Sequence, residues 1–459
     1  MRMRGPANGR PDVTLVNLNL YLARVSGHLN RQCYVPLGLL YIAAVLEEAG
    51  YEVELIDYQL FSQAELFDAE MFVRSVGDTG MLVGISCMSN LLPFAILCAQ
   101  RFKERQPGCR TVLGGVGPSP VAREIVDTFP FVDAVAVGEG ELTALELARG
   151  DLSRLHPPRP VTDLDILPLP AYSLLNLDLY DASPSIITSR GCPYSCAFCT
   201  EPYNFGGSVR FRSVESVMAE IELVHERSGK TLFLFQDDIL PLDRSRFRRV
   251  LRAFRENLSF PITWKCFARV DLVDEGLMEE MAASGCVQVR YGIESGSNLT
   301  LARVKKGFSI ETAYRTVVKS VKYFPSVHTS FIWGYPFEDL VEFKATMDSV
   351  SKFEEAGATV LLFQFSPLAG SQIYREFRGS MNASYSANGY SSFVVTGYEE
   401  NGLDGQCIGP EQKALHELIA SHPSIFPGFY EYDGIGIREK RDLVAEFAVR
   451  KPLRNEYDL

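Results

Sequence analysis

The 459 residues carry a formal net charge of −12, with 46% hydrophobic and 22% charged residues. That balance excludes a disordered or fibrous chain and argues against a nucleic-acid partner, because binding to a phosphate backbone relies on clustered Lys and Arg. No apolar run approaches the ~20 residues needed to span a bilayer, so a cytoplasmic protein with no membrane partner is expected, and at ~150 residues per domain the length suggests about three units.

The opening MRMRGPANGRPD passes straight into VTLVNLNL. It lacks the apolar stretch and cleavage site of a signal peptide, so 1–12 reads as a disordered tail. From Val13 to Gly150 short apolar strands alternate with amphipathic helices. VTLVNLN, EVELIDY, MLVGISCM, TVLGG and VDAVAVGEGE read as strands; PLGLLYIAAVLEEAGY and a segment through Lys103 read as helices. This alternation predicts a doubly wound, Rossmann-like parallel sheet with its ligand at the carboxyl ends of the strands. The glycines there, Gly114, Gly115, Gly138 and Gly140, with Glu139 among them, let backbone approach a large flat cofactor.

Residues 151–182 contain RLHPPRPVTDLDILPLPAY, whose prolines interrupt both helix and central strand, and read as a linker. A second series fills 183–374. SIITSR, TLFLFQDD, ITWKCFA, VQVRYGIES, HTSFIWG and TVLLFQF read as strands, all but the last followed by a helical segment, and SVESVMAEIELVHERSG, DEGLMEEMAASG and LVEFKATMDSVSKFEEAG close on glycines that read as C-caps. Six such units predict a partial barrel of the TIM type, with chemistry at the carboxyl ends of its strands. Residues 375–459 read as a small, mostly helical, substrate-facing cap, with helices around Glu411–Ala420 and Glu439–Val449.

The ten cysteines are unevenly placed. Cys192, Cys196 and Cys199 share one loop, GCPYSCAFC, after the first barrel strand, while the others are scattered through apolar stretches as small hydrophobes do. Three thiolates on a tight loop can ligate three irons of a 4Fe–4S cluster and leave the fourth open to a small chelating ligand. Zinc is the alternative, and needs a fourth ligand; Cys266 and His225 are the next candidates downstream.

This C-x-x-x-C-x-x-C spacing resembles the signature of radical S-adenosylmethionine (SAM) enzymes. The resemblance implies that the open iron chelates SAM and that reduction yields a 5′-deoxyadenosyl radical. It makes Phe198 a neighbour of the adenine, Glu294 and Ser295 of YGIESGS ribose or amino-acid contacts, and Gln236, Asp237 and Asp238 of FQDDIL contacts of the SAM amino group. Adjacent aspartates also suit a helix N-terminus. Ile332 and Gly334, with Glu338, resemble an adenine-binding pattern that lacks its first glycine here. PLGLLYIAAVLEEAGYEVELID, LGGVGPSP and VGEGE resemble the cobalamin-binding domain of the branch whose members pair both cofactors, although the D-x-H-x-x-G motif is missing and His28 reads as a solvated loop residue. The resemblance implies a cobalamin-dependent methyltransferase acting on an unactivated carbon of a small-molecule or peptide substrate, with a flavodoxin- or ferredoxin-type reductant. No catalytic side chain is singled out. Two rivals stay open: a cyclase or ring-rearranging enzyme of the same branch, and a non-catalytic cobalamin or iron–sulfur sensor. A degenerate domain that binds no cobalamin is a further alternative.

Overall fold

The computed structural model describes residues 2–3, 9–25, 28–61, 66–380, 383–385, 395–396 and 413–450. Two parallel sheets organise it. In the first, Val13–Asn17 lies between Val53–Asp57 and Leu82–Ser86, and Arg110–Gly114 and Ala134–Ala136 follow on the Leu82 side. The chain thus reverses its direction across the sheet after the second strand, and the loops on either side of that switch diverge to open a crevice.

Two flanking strands carry no sequence signal, since two residues are too few for a periodicity. Arg2–Met3 pairs antiparallel with Leu55 and Ile56, so part of the expected disordered tail is an edge strand. Leu155–His156 extends the opposite edge beside Ala136, inside the stretch expected to be a linker. The rest of that stretch is packed rather than loose. Three single 3-10 turns, Leu164–Ile166, Tyr172–Leu174 and Leu177–Leu179, bury two tyrosines. Tyr180 donates to Asp57 at 2.7 Å in the first domain, and Tyr172 donates to Glu220 at 2.8 Å on a helix of the second. The first loop also differs from expectation. Tyr21–Val25 and His28–Gln32 form a hairpin, which puts His28 on a strand opposite Val25.

The second sheet places Ser185–Ile186, Leu232–Phe235, Thr263–Ala268, Cys286–Glu294, Ser326–Trp333 and Thr359–Gln364 in chain order, all parallel. It is the six-stranded partial barrel predicted. Outward positions meet the helices: Trp264 is fully buried, edge-on to Phe235, Phe247 and Phe254, with its indole N–H donating to the Ser284 carbonyl at 2.9 Å. Cutting such a ring to Ala costs about 3–5 kcal/mol. The helix Val214–Ser228 starts where Ser213 caps the Ser216 amide and stops at Gly229, whose φ of +65° lies in the left-handed region that favours glycine. Asp339 and Glu342 form a capping box that starts Leu340–Glu355.

Two C-terminal helices stand among the described residues, Lys413–Ser421 and Ile437–Arg450. They join the domains rather than stand apart. Leu415, Ile419, Phe426 and Phe429 enter the core of the first domain with Phe94 and Phe102, while Ile437 and Val444 enter the core shared with the barrel. The aromatic residues of this region are packed: Phe426 and Phe429 are buried, Tyr430 donates to the Ile419 carbonyl, Tyr432 to that of Pro427, and Tyr385 bonds His416. Tyr390 and Phe393 lie outside the described residues. No described helix is long and apolar enough to cross a membrane.

Candidate active site

The first barrel strand ends early. Ser189–Arg190 turns away to pair antiparallel with Arg210–Phe211, and the cysteine loop springs from that ribbon. Gly191 makes the exit possible: at φ +92°, a Cβ there would lie 2.4 Å from the Ser208 carbonyl. Cys192, Cys196 and Cys199 are half-buried, whereas every other described cysteine is buried; Cys407 lies outside the described residues. The loop is pinned by the Ala197 amide on the Val304 carbonyl (3.0 Å) and by the Ile373 amide on the Ala197 carbonyl (2.9 Å). Neither candidate for a fourth zinc ligand is at hand. Cys266 is fully buried on an outward strand position beside Cys286, and His225 stacks on Phe260 with its Nδ1 on the Lys230 carbonyl.

At the end of the second strand the pleat separates two adjacent aspartates. Asp237 is buried and accepts from the Thr188 amide and hydroxyl and from the Ser189 hydroxyl, tying the first strand to the second. It is thus a structural residue and not the SAM contact expected of it. Gln236 and Asp238 instead open onto a cavity, joined by Glu201, two residues past the last cysteine. Burial raises both Asp238 and Glu201 above the usual carboxylate range, with the neighbouring Asp238 adding to the shift of Glu201 and Asp237 to that of Asp238, which favours keeping a proton there.

The fourth strand ends at Glu294, held at φ +78° in the left-handed region that a side chain avoids. Its carboxylate accepts from Lys306 Nζ at 3.0 Å, and this ammonium also lies 5.6 Å from the centre of the Phe198 ring. A Cβ on Gly292 would sit 2.3 Å from that carboxylate, so a side chain there would push the pair aside. Ser295 faces the other way. Its fully buried hydroxyl bonds Thr346 and receives the Ser297 amide, so the expected contact with SAM is not available to its side chain. Ile332 and Phe198 come together against a small apolar cluster built on Tyr335 and Phe365. Gly334, at φ +84°, donates its amide to Glu338 at 2.8 Å, and Glu338 is paired inside the protein with Lys440.

A cavity of about 390 Å³ joins this mouth to the first domain. One wall is the face of the parallel sheet, where Val13, Leu15, Gly84, Val112, Gly114 and Ala136 point inward, and the opposite wall is formed by the helices Leu37–Glu48 and Glu141–Ala148. Strand-end glycines shape its rim. Gly115 at φ +94° and Gly138 at φ +77° could not carry a Cβ without approaching the Cys87 carbonyl to 2.9 Å and the Asn204 carbonyl to 2.8 Å. Gly140 precedes the helix Glu141–Ala148. Glu139, expected beside a cofactor, has its carboxylate committed elsewhere: it pairs with Arg190 (3.2 Å) and Arg210 from the barrel side and accepts the Val161 amide (3.0 Å). Arg190 also pairs with Glu141 at 2.7 Å and packs over Tyr41, so the two domains are clamped by buried charge beside the cavity.

Family models match the same two regions, a B12 binding domain at residues 29–148 and the Radical SAM superfamily at residues 186–350. The chain is 31% identical to an uncharacterized methyltransferase of Pyrococcus horikoshii, over 70% of this chain and 73% of that one. It is 30% identical to the cytidylyl-2-hydroxyethylphosphonate methyltransferase of Streptomyces wedmorensis, over 79% and 81%. In fold it is similar to the radical S-adenosylmethionine methyltransferase TsrM from Kitasatospora setae, solved with cobalamin and a 4Fe–4S cluster, at a TM-score of 0.68 and 19% identity over 90% of this chain and 85% of that one. The chain belongs to the cobalamin-binding radical SAM methyltransferases.

The residues present fit the three groups such a methyltransferase uses. The three cysteines set apart from the buried ones suit the cluster, and the apolar sheet face of Val13, Leu15, Gly84, Val112, Gly114 and Ala136 along a cavity of about 390 Å³ suits a flat ring. Tyr335 adds a buried hydroxyl that finds no partner among the described residues, in the patch with Phe198 and Ile332. Lys306, Tyr335, Arg190 and Glu201 escape the sequence reading. Only Glu201 has a local signal, its place directly after C-A-F-C-T.

Proposed function

We propose that this methyltransferase acts on an unactivated carbon of a small natural product or peptide, with Cys192, Cys196 and Cys199 holding the cluster. The carrying observation is the single cavity that runs from Gly114 and Gly138 at the sheet edge to Gln236 and Asp238 at the barrel mouth. When bound, the cluster with SAM supplies a 5′-deoxyadenosyl radical and cobalamin supplies the methyl group. The chain's own part is placement and exclusion of water. Gly115 and Gly138 bring backbone up to the corrin edge, Gln236 and Asp238 offer polar atoms to the SAM amino group, and Phe198 with Ile332 offers an apolar bed for the adenine. The clamp of Glu139 and Glu141 with Arg190 fixes the distance between the two beds. A flavodoxin- or ferredoxin-type protein supplies electrons.

The test is anaerobic turnover of the reconstituted protein with candidate substrates. Methylated product, 5′-deoxyadenosine and S-adenosylhomocysteine are expected in comparable amounts. Substrate-dependent 5′-deoxyadenosine without the other two would overturn methyl transfer in favour of a cyclase or rearrangement.

A further inference from the structure

The cysteine loop shows one edge to solvent, where Pro193 and Ser195 are exposed. Behind that edge the loop is held by two other segments. The Val304 carbonyl receives the Ala197 amide, and the Ile373 amide reaches the Ala197 carbonyl, so the stretch that follows the helix Asn298–Arg303 and the helix Gln372–Phe377 flank the three cysteines. Lys305 Nζ joins the two segments by a bond to Gln372 Oε1 at 2.7 Å.

This face carries exposed cations in a chain of net charge −12: Arg303, Lys305, Arg375 and Arg378. Of the carboxylates on the same stretches, Glu338 and Glu342 are buried and paired with Lys440 and Arg303, Asp339 caps its own helix, and Glu376 bonds Gln372. Lys305, Arg375 and Arg378 pair with no described carboxylate. Between the cations runs an apolar strip. Phe337 lies 5.4 Å below the Arg303 guanidinium and meets Phe377 at 5.7 Å, both rings partly accessible, and Leu299, one turn before Arg303, is 55% exposed. An apolar centre within a charged rim is how a protein-docking face is composed.

Lys305 adds a separate observation. The helix Asn298–Arg303 closes with the Lys306 amide on the Leu301 carbonyl (2.9 Å) and the Lys305 amide on the Ala302 carbonyl (3.1 Å), which places Lys305 at φ +59°. Glycine is the residue that relieves this left-handed position. The chain keeps an exposed cation there instead, beside the ligand loop, at a conformational cost that folding does not require.

We propose that this face is the landing surface of a small acidic one-electron carrier protein. The reduced carrier gives one electron to the cluster held by Cys192, Cys196 and Cys199 and leaves oxidised by one electron; Arg303, Lys305, Arg375 and Arg378 steer it, and Phe337 with Leu299 seats it. This rests on the proposed reaction, which takes one electron for each cleavage of SAM, and it fixes the face by which that electron enters.

The test is stopped-flow reduction of the reconstituted holoenzyme by reduced flavodoxin and, separately, by reduced methyl viologen, a small cation that needs no landing surface. The variant combines Lys305→Gly, Arg375→Gln and Arg378→Gln. With flavodoxin the wild-type second-order rate should fall steeply as salt is added, and the variant should be about tenfold or more slower at low ionic strength, with a flatter salt dependence. With methyl viologen the two proteins should agree within about twofold. Lys305→Gly alone should melt at or above wild type, because glycine relieves the backbone, while losing part of the flavodoxin rate. A flavodoxin rate and salt dependence unchanged in the triple variant overturn the inference. So does an equal loss with both reductants, which would make the cations mere supports of the loop, and so does failure of both flavodoxin and a 2Fe–2S ferredoxin to reduce the wild type. 5′-Deoxyadenosine formed after methyl viologen reduction is scored in parallel: its absence would count against the functional reading, while the comparison of rates still judges the landing surface.

Discussion

The two parallel sheets meet one cavity with different chemistry. In the first domain the positions that face it are Val13, Leu15, Gly84, Val112, Gly114 and Ala136, apolar or without a side chain, and the rim is glycine. On the barrel side the cavity is lined by Ser189, Arg190, Glu201, Gln236 and Asp238, while the inward strand positions Lys265, Gln288, Arg290 and His328 lie beyond its lining. A doubly wound sheet is covered by helices on both faces, so a ligand enters only at its edge or by displacing apolar packing, and recognition there is by shape and backbone. A barrel has an interior that helices do not reach, and polar side chains inside it stay wet or meet a ligand.

The largest effect should come where the two walls meet. Replacing Cys192, Cys196 and Cys199 together by Ala should abolish the iron–sulfur absorption and all SAM cleavage, measured by iron content and 5′-deoxyadenosine. Cobalamin should still bind, because no cysteine of the loop belongs to the sheet wall. A triple variant that kept a full cluster would refute the ligand assignment. Next is the sheet wall itself. A Cβ at Gly84 would already touch Leu15 Cδ2 at 3.1 Å, so Gly84→Leu fills the cavity from the face of the sheet. Cobalamin retained after gel filtration should fall about tenfold or more while the iron content stays constant. The overpacking itself costs about 1–3 kcal/mol, and far-UV circular dichroism would separate that from unfolding. Normal cobalamin retention would mean that the apolar cleft is not part of the cofactor's bed.

How much of this could be read from the chain follows from the range of each interaction. Both sheets, their order of strands and helices, and the cysteine loop depend on patterns within about ten residues, and the sequence shows them. The clamp of Arg190 on Glu139 spans 51 residues and that of Lys440 on Glu338 spans 102, and no linear pattern marks either pair. Asp237 and Asp238 look equivalent in F-Q-D-D; the strand pleat decides that one is buried against Thr188 and the other opens to the cavity. The side chains of Ser295 and Glu139 are committed to other elements for the same reason. Their motifs locate the loop correctly, but which way a side chain turns depends on Thr346 and on Arg190, which come from other elements.

The barrel wall should be sensitive to acid where the sheet wall is not. His328 is almost fully buried, and burial with Arg290 and Lys265 holds it down to about 4 from an ordinary value near 6.5. Above pH 6.5 the imidazole is neutral in folded and unfolded chains alike and contributes nothing. Between pH 6.5 and 4 the unfolded chain binds a proton that the folded chain refuses, so stability falls as the pH falls, by about 1.4 kcal/mol per unit and about 3 kcal/mol in all. Urea midpoints compared at several pH values for wild type and His328→Gln isolate this component, since other titrating groups are shared by both. The variant should lose less stability on acidification. Parallel curves would show that the barrel interior admits enough water to charge His328 freely.

The smallest expected effect is none. Recognition of cobalamin by shape and backbone requires no protein nitrogen on cobalt, and the chain has no D-x-H-x-x-G motif to supply one. His28 lies on a hairpin strand in the connection that follows the first parallel strand, paired opposite Val25. His28→Ala should therefore leave the amount of cobalamin bound unchanged, and the cob(II)alamin electron paramagnetic resonance spectrum should show the same absence of nitrogen splitting in both proteins. The measurement bears on the whole contrast between the walls. Nitrogen superhyperfine structure in the wild type that vanishes in the variant would mean that the first domain also recognises by a side-chain ligand, and the division between a wall that reads shape and a wall that reads charge would fail on its apolar side.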